Sequence, residues 1–338
     1  MTTLTIALDV MGGDFGPPIT IPAAIAAIQQ DPLLNIILCG DKSIIETTLS
    51  KHKQSNSPQL SIFHCSQVIE MDERPAFTLR NKTDSSMRKA LELVKKGEAG
   101  ACVSAGNTGA LMTNAYYVLK TLPGIDRPAL VSSLPTVTDK KVYLLDLGAN
   151  VNCDSEILFQ YAVMGSVMAE EVEGIKNPRV ALLNVGEEEI KGNDRVKHAA
   201  QLLTDATNIN FIGYIEGNDI FTDKADVVVT DGFVGNIALK ACEGLGKLIA
   251  VEVKRISHQN LFTRIMARLA LPLLKKIYSR VNPDQYNGAS LIGLRGIVVK
   301  SHGNASIEAF QYAIREAVQE ISRQVPSKIK DKIEITLS

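Results

Sequence analysis

The sequence lacks the short motifs that identify many enzymes. It has no G-x-S-x-G nucleophile elbow, no H-E-x-x-H metal motif, no G-x-x-x-x-G-K-[ST] phosphate loop and no protein-kinase signature. The net charge is also small, because 36 Lys and Arg residues are balanced by 37 Asp and Glu residues, which leaves a formal charge of -1. A chain so close to neutrality has no overall electrostatic attraction for nucleic acid. We therefore expect no nucleic-acid partner.

Cysteine is scarce, and its pattern is not that of a disulfide framework. The five cysteines, Cys39, Cys65, Cys102, Cys153 and Cys242, are odd in number and far apart. No group of Cys and His residues has metal-site spacing, and the first residues do not form a secretory signal. We expect free thiols in a reducing cytoplasm, and no metal. Cys39 and Cys102 lie inside apolar runs, which predicts that both are buried.

Long apolar runs are nearly absent as well. The uncharged stretch over residues 99–119 is long enough to raise the question of a membrane span. It contains three glycines together with Ser, Thr and Asn residues, which are too many polar and turn-forming residues for a lipid-facing helix. We interpret it as a strand, a loop and a helix.

What the chain does contain is an alternation of two patterns. Strand-like segments such as TIALDV, NIILCG, KVYLLDLG and ADVVVTDG alternate with helical ones such as SSMRKALELVKKG and NASIEAFQYAIREAVQEIS. This predicts an α/β fold of three layers, αβα, around a mainly parallel sheet. Ligands of such sheets bind outside the carboxyl ends of the strands. We therefore expect the site at the strand exits.

Six of these exits have a similar composition. LDVMGGDFG, SAGNTGA, LDLGANVN, LNVGEEEIKG, TDGFVGN and KSHGNAS each leave an apolar segment through Gly combined with Asp, Asn, Ser or His. Each exit alone is explained equally well as a turn or a helix cap. Their coincidence predicts that they line one cleft.

The first exit does not fit a dinucleotide site. Its glycines fall at positions 12, 13 and 16, out of register with G-x-G-x-x-G, and prolines follow where a helix should continue. Its two aspartates would also repel phosphate. We therefore expect no nucleotide cofactor and interpret this exit, with Asn150 from a later one, as cleft wall. The predicted wall residues are Asp9, Gly12, Gly13, Asp14 and Asn150.

Two other exits have the features of an anion site. In SAGNTGALM, the helix that follows the turn would expose backbone N–H groups, which bind phosphate or an oxyanion without a basic side chain. The residues expected there are Ser104, Gly106, Asn107 and Thr108. TDGFVGNIALK repeats the arrangement with Asp231, Gly235 and Asn236.

A lysine in a further exit is the expected counter-charge. Lys191 follows the acidic triplet of LNVGEEEIKG. It is either an anion contact or a solvated partner of the nearby carboxylates.

A basic and apolar segment, residues 254–281, lies late in the chain. No acidic residue occurs from Val253 to Pro283, whereas seven basic ones do, at 254, 255, 264, 268, 275, 276 and 280. Apolar residues at helical spacing form a stripe within it. The segment is expected either to lie on a membrane surface or to pack as a core or dimer-interface helix, and its basic face could also receive an acidic protein. The predicted membrane contacts are Phe262, Ile265, Met266 and Leu269.

Several multi-residue blocks carry a family resemblance. IALDVMGGDFGP, CVSAGNTGALM, LDLGANVNCDS, VALLNVGEEEIKG, VVTDGFVGN and NPDQYNGASLIGLRGIVVKSHG follow one another in the chain. Together they closely resemble the PlsX phosphate acyltransferases of bacteria, nearly end to end. The resemblance implies reversible transfer of a fatty acyl group from acyl-[acyl-carrier-protein] to inorganic phosphate, which gives acyl phosphate for phospholipid synthesis.

The resemblance has further implications. It implies the fold of isocitrate and isopropylmalate dehydrogenases, with two lobes and a cleft, a metal-free homodimer, and peripheral association with the inner face of the cell membrane. An integral-membrane glycerol-3-phosphate acyltransferase would then receive the product. With phosphate at the anion sites, Lys191 and Asn236 are expected to act in catalysis and Asp231 and His302 to move protons. Lys300 is expected to bind either phosphate or the pantetheine phosphodiester of the carrier protein.

The boundaries and the alternatives stay open at this point. The whole chain, residues 1–338, is expected to form one enzyme unit, with tentative lobes at 1–103 plus 296–338 and at 104–295. One alternative is an NAD-dependent hydroxyacid dehydrogenase of the same fold. The other is a noncatalytic scaffold on a membrane surface.

Overall fold

The structure is a computed structural model that describes residues 4–54, 57–138, 140–281 and 283–337. The described strands are β1 (Thr5–Asp9), β2 (Asn35–Gly40), β3 (Leu60–His64), β4 (Ala101–Ser104), β5 (Ala129–Pro135), β6 (Lys141–Leu145), β7 (Arg179–Leu183), β8 (Asn210–Ile215), β9 (Val227–Val229), β10 (Ala289–Ile292) and β11 (Ile297–Lys300). The described helices are α1 (Pro17–Gln30), α2 (Lys42–Lys51), α3 (Pro75–Asn81), α4 (Ser86–Lys95), α5 (Thr108–Leu119), α6 (Ser155–Glu173), α7 (Asp194–Asp205), α8 (Gly232–Ser257), α9 (Leu261–Val281), α10 (Ile307–Arg323) and α11 (Val325–Leu337).

The described strands form one sheet in the order β3-β2-β1-β4-β11-β10-β5-β6-β9-β7-β8. Seven of the ten pairings between neighbours are parallel. The three antiparallel pairings involve β10 or β5, which join the half containing β1 to the half containing β9. The predicted α/β fold with a mainly parallel sheet is confirmed. The two tentative lobes stay a prediction, and the sheet runs across their boundary between β11 and β10.

Helices cover both faces of the sheet, which gives the three layers. In β1, Ile6 and Leu8 pack towards α1 and α10, whereas Ala7 packs towards α4 and α5. This alternation follows from the period of two along a strand. In the other half of the sheet, α6 and α11 cover β6, β7 and β9. The face of the central strands that α8 approaches is where a cavity lies.

Local sequence interpretations are confirmed in several places. Residues 99–119 form β4, a loop and α5, as predicted. Cys39 and Cys102 are buried, and the cysteines are free thiols. In the part of the chain that the structure describes, no helix is both long and apolar enough to cross a membrane.

Helices α8 and α9 are largely exposed and contact each other. Within α8, Gly232 and Gly235 of the first turn are buried, and most later residues are exposed. The large exposed apolar residues among the described side chains of the two helices are Phe233, Val234, Ile237, Leu245, Leu248, Ile249, Val251, Val253, Ile256, Phe262, Ile265, Met266, Leu269, Leu271 and Leu273. The side chains of Lys275 and Arg280, which belong to the predicted basic face, lie outside the described ones.

A buried carboxyl on α10 makes stability depend on pH. Burial raises the pKa of Glu320, the neighbouring Glu316 raises it further, and a hydrogen bond from the Ser290 hydroxyl opposes the shift. Above the ordinary glutamate pKa, near 4.3, the unfolded chain ionises here while the folded protein keeps its proton. Stability is therefore lost as pH rises towards the folded pKa.

Glu320→Gln removes this titration. We expect the variant to raise the free energy of unfolding at pH 8 by about 1–3 kcal/mol, and by less at pH 5. Urea unfolding at both pH values measures the difference, with Glu308→Gln at an exposed position of the same helix as the control. Equal stabilisation by Glu320→Gln at both pH values would contradict the prediction.

Candidate active site

The exits of β1, β4 and β11 pack against one another. The Asp14 N–H donates to the Gly303 carbonyl at 2.8 Å. A Cβ at Gly13, whose φ is +93°, would lie 2.9 Å from the same carbonyl oxygen, and a Cβ at Gly12 would lie 2.8 Å from the Gly106 nitrogen. Glycine is therefore required where these backbones meet. The structure places the wall residues Gly12, Gly13 and Asp14 beside the predicted anion-binding turn.

A buried carboxylate supports this turn from below. Asp9 accepts hydrogen bonds from the Ser86 and Ser104 hydroxyls, both at 2.6 Å. Ser104 in turn accepts from the Gly106 N–H at 3.0 Å. Burial raises the pKa of Asp9, and these two hydroxyls oppose the shift. Asp9 and Ser104 are both fully enclosed, so they shape the turn from inside the protein.

Asn107 and Thr108 begin α5. The Asn107 side-chain oxygen caps the helix by accepting from the Ala110 N–H at 2.9 Å. Its amide nitrogen donates to the Met71 carbonyl at 2.6 Å, which attaches the loop after β3 to the helix start. The Asn107 side chain is thus held by the protein, whereas Thr108 lines the large cavity described below.

The exits of β6 and β9 form a second packed pair. The Asp146 carboxylate accepts from the Ala149 and Asn150 backbone N–H groups at 2.9 and 2.6 Å, and the Asn150 carbonyl accepts from the Gly232 N–H at 2.8 Å. A Cβ at Gly235 would collide with the Asp146 carbonyl oxygen. Asn150 and Gly235 therefore fix where α8 starts.

A cavity of about 830 Å³ lies between the two sets of exits, on the face of β5 and β10 that α8 approaches. One group of lining residues is polar and comes from the exits and α8: Thr108, Asn236, Lys240, Glu243, Lys300 and His302. A second group is apolar and comes from β5, α8 and nearby loops: Leu130, Leu134, Leu147, Phe221, Leu239 and Ile249. The cavity combines a charged wall with an apolar one.

Lys300 contributes a buried positive charge to this cavity. Only 8% of the residue is exposed. Burial lowers the pKa of Lys300 to about 8, although Asp9 and Asp14 partly oppose the shift. Its Nζ donates to the carbonyls of Ala105, at 3.4 Å, and Ser301. A lysine ammonium has three N–H donors, so these contacts leave one for a ligand.

His302 lies beside a carboxylate that the sequence interpretation missed. Its Nε2 is 3.8 Å from Glu243 Oε1, and Glu243 Oε2 is 2.9 Å from Lys240 Nζ. Burial lowers the pKa of His302, and Glu243 opposes that shift. Asn236, Lys240 and Glu243 recur at i, i+4 and i+7 in NIALKACE, so the helical period was a signal that could have placed Glu243 in the site.

Two predicted catalytic residues lie away from this cavity. Lys191 is paired with Glu188 at 2.8 Å and is not among the lining residues. Asp231 caps α8 by accepting from the Val234 N–H at 2.9 Å, and it lines a smaller cavity of about 390 Å³ together with Arg195. Opposite faces of α8 line the two cavities, so the helix separates the exit of β7 and Asp231 of the β9 exit from the residues at the large cavity. The expectation that all six exits line one cleft is wrong in this respect.

The fold is shared with solved structures of other enzymes. A phosphotransacetylase from Streptococcus pyogenes superposes with a TM-score of 0.62 at 19% identity, over 94% of each chain. A 4-hydroxythreonine-4-phosphate dehydrogenase from Klebsiella pneumoniae gives a TM-score of 0.51 at 14% identity, over 94% of this chain and 98% of that one. These similarities show the fold, an α/β architecture that the chain shares with phosphotransacetylase and dehydrogenase structures.

Sequence comparison narrows the class to a family. The family model described as "Fatty acid synthesis protein" matches residues 4–328. A phosphate acyltransferase from Pseudoalteromonas atlantica is 62% identical over 334 residues, which are 99% of this chain and 98% of that protein. The chain belongs to the PlsX phosphate acyltransferase family. It is an acyltransferase that transfers acyl groups to phosphate in fatty acid and phospholipid synthesis, and the dehydrogenase and scaffold alternatives are not retained.

Proposed function

We propose that the enzyme transfers a fatty acyl group reversibly from acyl-[acyl-carrier-protein] to inorganic phosphate, and that both substrates meet in the large cavity. The observation that carries this proposal is the pairing of a charged wall with an apolar wall in a volume of about 830 Å³. The two substrates match these two walls, because the acyl thioester carries a long apolar chain and phosphate is a compact anion. A cavity lined mainly by apolar side chains with a few convergent polar groups is the usual form of a small-molecule site.

Phosphate binds at the charged wall in this proposal. Lys300 offers its remaining N–H and a positive charge, and Asn236 and His302 lie on the same wall. Thr108 begins α5, where backbone N–H groups and the helix dipole favour an anion. A substantial share of phosphate is already dianionic near neutral pH, so the site mainly positions it and balances its charge, and one proton remains to be transferred during the reaction.

The acyl chain occupies the apolar wall, with the thioester carbonyl towards the phosphate. A phosphate oxygen attacks the carbonyl carbon, and donors near the carbonyl oxygen stabilise the charge that develops there. The carrier thiolate leaves and takes up a proton. Products are acyl phosphate and the free carrier thiol.

Formation of acyl phosphate tests this function. The purified protein is incubated with acyl-[acyl-carrier-protein] and phosphate, and the product is trapped with hydroxylamine as the hydroxamate. We expect hydroxamate only when protein, thioester and phosphate are all present. Thioester consumption without hydroxamate would contradict the proposal.

Blocking the apolar wall tests the placement of the chain. Leu239 on α8 lines the cavity and is partly buried. We expect Leu239→Trp to lower kcat/KM for a long acyl chain about 10- to 100-fold while a short acyl chain reacts almost normally, because each buried methylene contributes about 0.8 kcal/mol. Chain-length profiles of both proteins measure this. Leu202→Trp, at an exposed position of α7 that is not among the lining residues, is the control, and equal losses for short and long chains would contradict the placement.

A lysine stripe on α8 supports an acidic carrier protein as the acyl donor. Lys240, Lys247 and Lys254 are spaced by seven residues, and all three are exposed. Residues at this spacing lie on one face of a helix, and Lys240 lies at the cavity. The stripe therefore leads from the site along a surface that attracts a negatively charged protein.

The exposed apolar residues of α8 and α9 support two further contacts, a second copy of the chain and the membrane surface. Large apolar patches on a soluble protein usually mark such contacts. On α9, Phe262 and Leu269 are each 72% exposed, and Ile265 and Met266 are 50% and 49% exposed. We assign these four residues to a membrane surface at the inner face of the cell membrane, where acyl phosphate would pass to a glycerol-3-phosphate acyltransferase. The exposed apolar residues of α8 that do not line the cavity, such as Leu248, Val251 and Val253, are assigned to a homodimer.

Aspartate at Phe262 and Leu269 tests the membrane contact. Placing two carboxylates on the apolar face removes buried area and adds repulsion from anionic lipid. We expect the double variant to be released from anionic vesicles in a flotation assay while keeping wild-type acyl transfer in solution and wild-type mass by light scattering. Unchanged flotation would contradict the membrane role, and a halved mass would assign these residues to the dimer instead.

A further inference from the structure

The Glu243 carboxylate has an oxygen that is left without a partner. Glu243 Oε1 is buried and accepts no hydrogen bond from the described residues. The other oxygen, Oε2, is held by Lys240 Nζ at 2.9 Å. A buried carboxylate oxygen without a donor is costly, so its retention calls for a role. The neighbour that can supply a donor is His302, whose Nε2 is 3.8 Å away.

Hydrogen bonds fix the backbone of His302, so its imidazole extends from a fixed position. The His302 N–H donates to the Asn287 side-chain oxygen at 2.9 Å. The Asn287 amide nitrogen donates to Ser301 Oγ at 2.8 Å and to the Ala309 carbonyl at 2.7 Å. The distance of 3.8 Å between Nε2 and Oε1 is longer than a hydrogen bond and has to shorten for the pair to form. Catalytic hydrogen bonds are often long before substrates bind and tighten in the complex.

We propose that Glu243 is the positioning residue of His302, pairing with Nε2–H so that Nδ1 faces the phosphate and shuttles its proton to the departing sulfur. This inference rests on the proposed function. Nδ1 takes the proton of the phosphate hydroxyl whose oxygen forms the new bond to the carbonyl carbon. The C–S bond then breaks, and the imidazolium returns the proton to the thiolate. No net proton is gained or lost, and the Glu243 charge stabilises the imidazolium between the two steps, which is the logic of a carboxylate behind a catalytic histidine.

The charged groups around His302 predict the direction in which its pKa changes when one of them is neutralised. Glu243 and Lys240 face it from α8, Lys300 from the end of β11, and Asp284 from the turn before β10. Glu243 and Asp284 favour the imidazolium, whereas Lys240, Lys300 and burial oppose it. Removing the charge of Glu243 should therefore lower the pKa of His302, and removing the charge of Lys240 should raise it.

Glu243→Gln and Lys240→Gln separate positioning from mere packing. We expect Glu243→Gln to lower kcat about 100-fold or more, by analogy with a catalytic histidine whose carboxylate is made neutral, while KM for phosphate changes less than about threefold. Nitrogen NMR of histidine-labelled protein, with His302→Gln to assign the signal, should show a lower His302 pKa in Glu243→Gln and a higher one in Lys240→Gln. Thermal unfolding verifies that both variants fold.

Each outcome decides for or against the inference. If Glu243 serves only to hold Lys240, the two variants will lose activity equally and shift His302 in the same direction, which overturns it. A Glu243→Gln enzyme with wild-type kcat and an unshifted His302 also overturns it. The proposed function fails separately, because then the wild-type protein itself makes no acyl phosphate.

Discussion

Lys300→Met is expected to lower kcat/KM for phosphate by about 100- to 1,000-fold, the loss that follows removal of one well-placed charged donor from an enclosed site. Methionine keeps the length and most of the volume of the side chain but has neither charge nor N–H. Water that enters the cavity can offer an O–H donor in its place but cannot replace the positive charge. Initial rates at varied phosphate and fixed thioester concentrations measure the effect.

The pH dependence of KM for phosphate in the wild-type enzyme is an independent test of the role of Lys300. The pKa of Lys300 is lowered to about 8, so the cation is present below that pH and is lost above it. KM for phosphate should therefore rise as pH increases through about 8, and Lys300→Met should not show this rise. The free energy of unfolding of Lys300→Met at neutral pH should not be lower than that of the wild-type protein, because burying the Lys300 cation destabilises the wild-type fold. A variant that unfolds more easily, or that keeps wild-type KM for phosphate, would contradict this role.

Gly235→Ala is expected to lower kcat about 100-fold. The added Cβ collides with the Asp146 carbonyl oxygen, which belongs to the backbone and cannot rotate away. The start of α8 must therefore move, and with it the side chains of Asn236, Lys240 and Glu243. A displacement of about 1 Å at reacting groups costs about 100-fold in rate, and overpacking of this kind destabilises by about 1–3 kcal/mol.

Gly244→Ala is the matched control for that prediction. It lies on the same helix, and a Cβ there would meet nothing within 4 Å. We expect wild-type kcat and a gain of about 0.5–1 kcal/mol in the free energy of unfolding, because alanine favours an exposed helix interior. Steady-state rates and urea unfolding of both variants provide the comparison. Equal rates for Gly235→Ala and Gly244→Ala would show that the position of α8 does not limit turnover.

Much of the architecture could be predicted from local sequence. The alternation of apolar strands with helical stretches indicates a parallel sheet in three layers, and the structure confirms it. The glycines of the exits also had a local signal, because two backbones that approach closely leave no room for a larger residue. In the structure, Gly12 lies against Gly106 and Gly13 lies against Gly303. Lys300 and His302 follow an apolar strand directly, which placed them at a strand end.

Which of the strand exits line the same cavity could not be predicted from the sequence. Lys191 and Asp231 have the same local features as the residues that reach the large cavity. What separates them is the strand order, in which β7 lies beyond β9, and the passage of α8 between the cavities. Both depend on contacts distant in sequence. Glu243 was missed for another reason, because its signal is its spacing of seven residues from Asn236 and not a local motif.

The transfer of isotope from phosphate to product tests the central claim most directly. Wild-type protein and Lys300→Met are supplied with acyl-[acyl-carrier-protein] and phosphate labelled with oxygen-18, and the acyl phosphate is analysed by mass spectrometry. Attack by a phosphate oxygen on the carbonyl carbon predicts acyl phosphate that retains the full label, equal release of carrier thiol, and almost no product from Lys300→Met. Fatty acid in place of acyl phosphate, or equal product from the two proteins, would contradict the account.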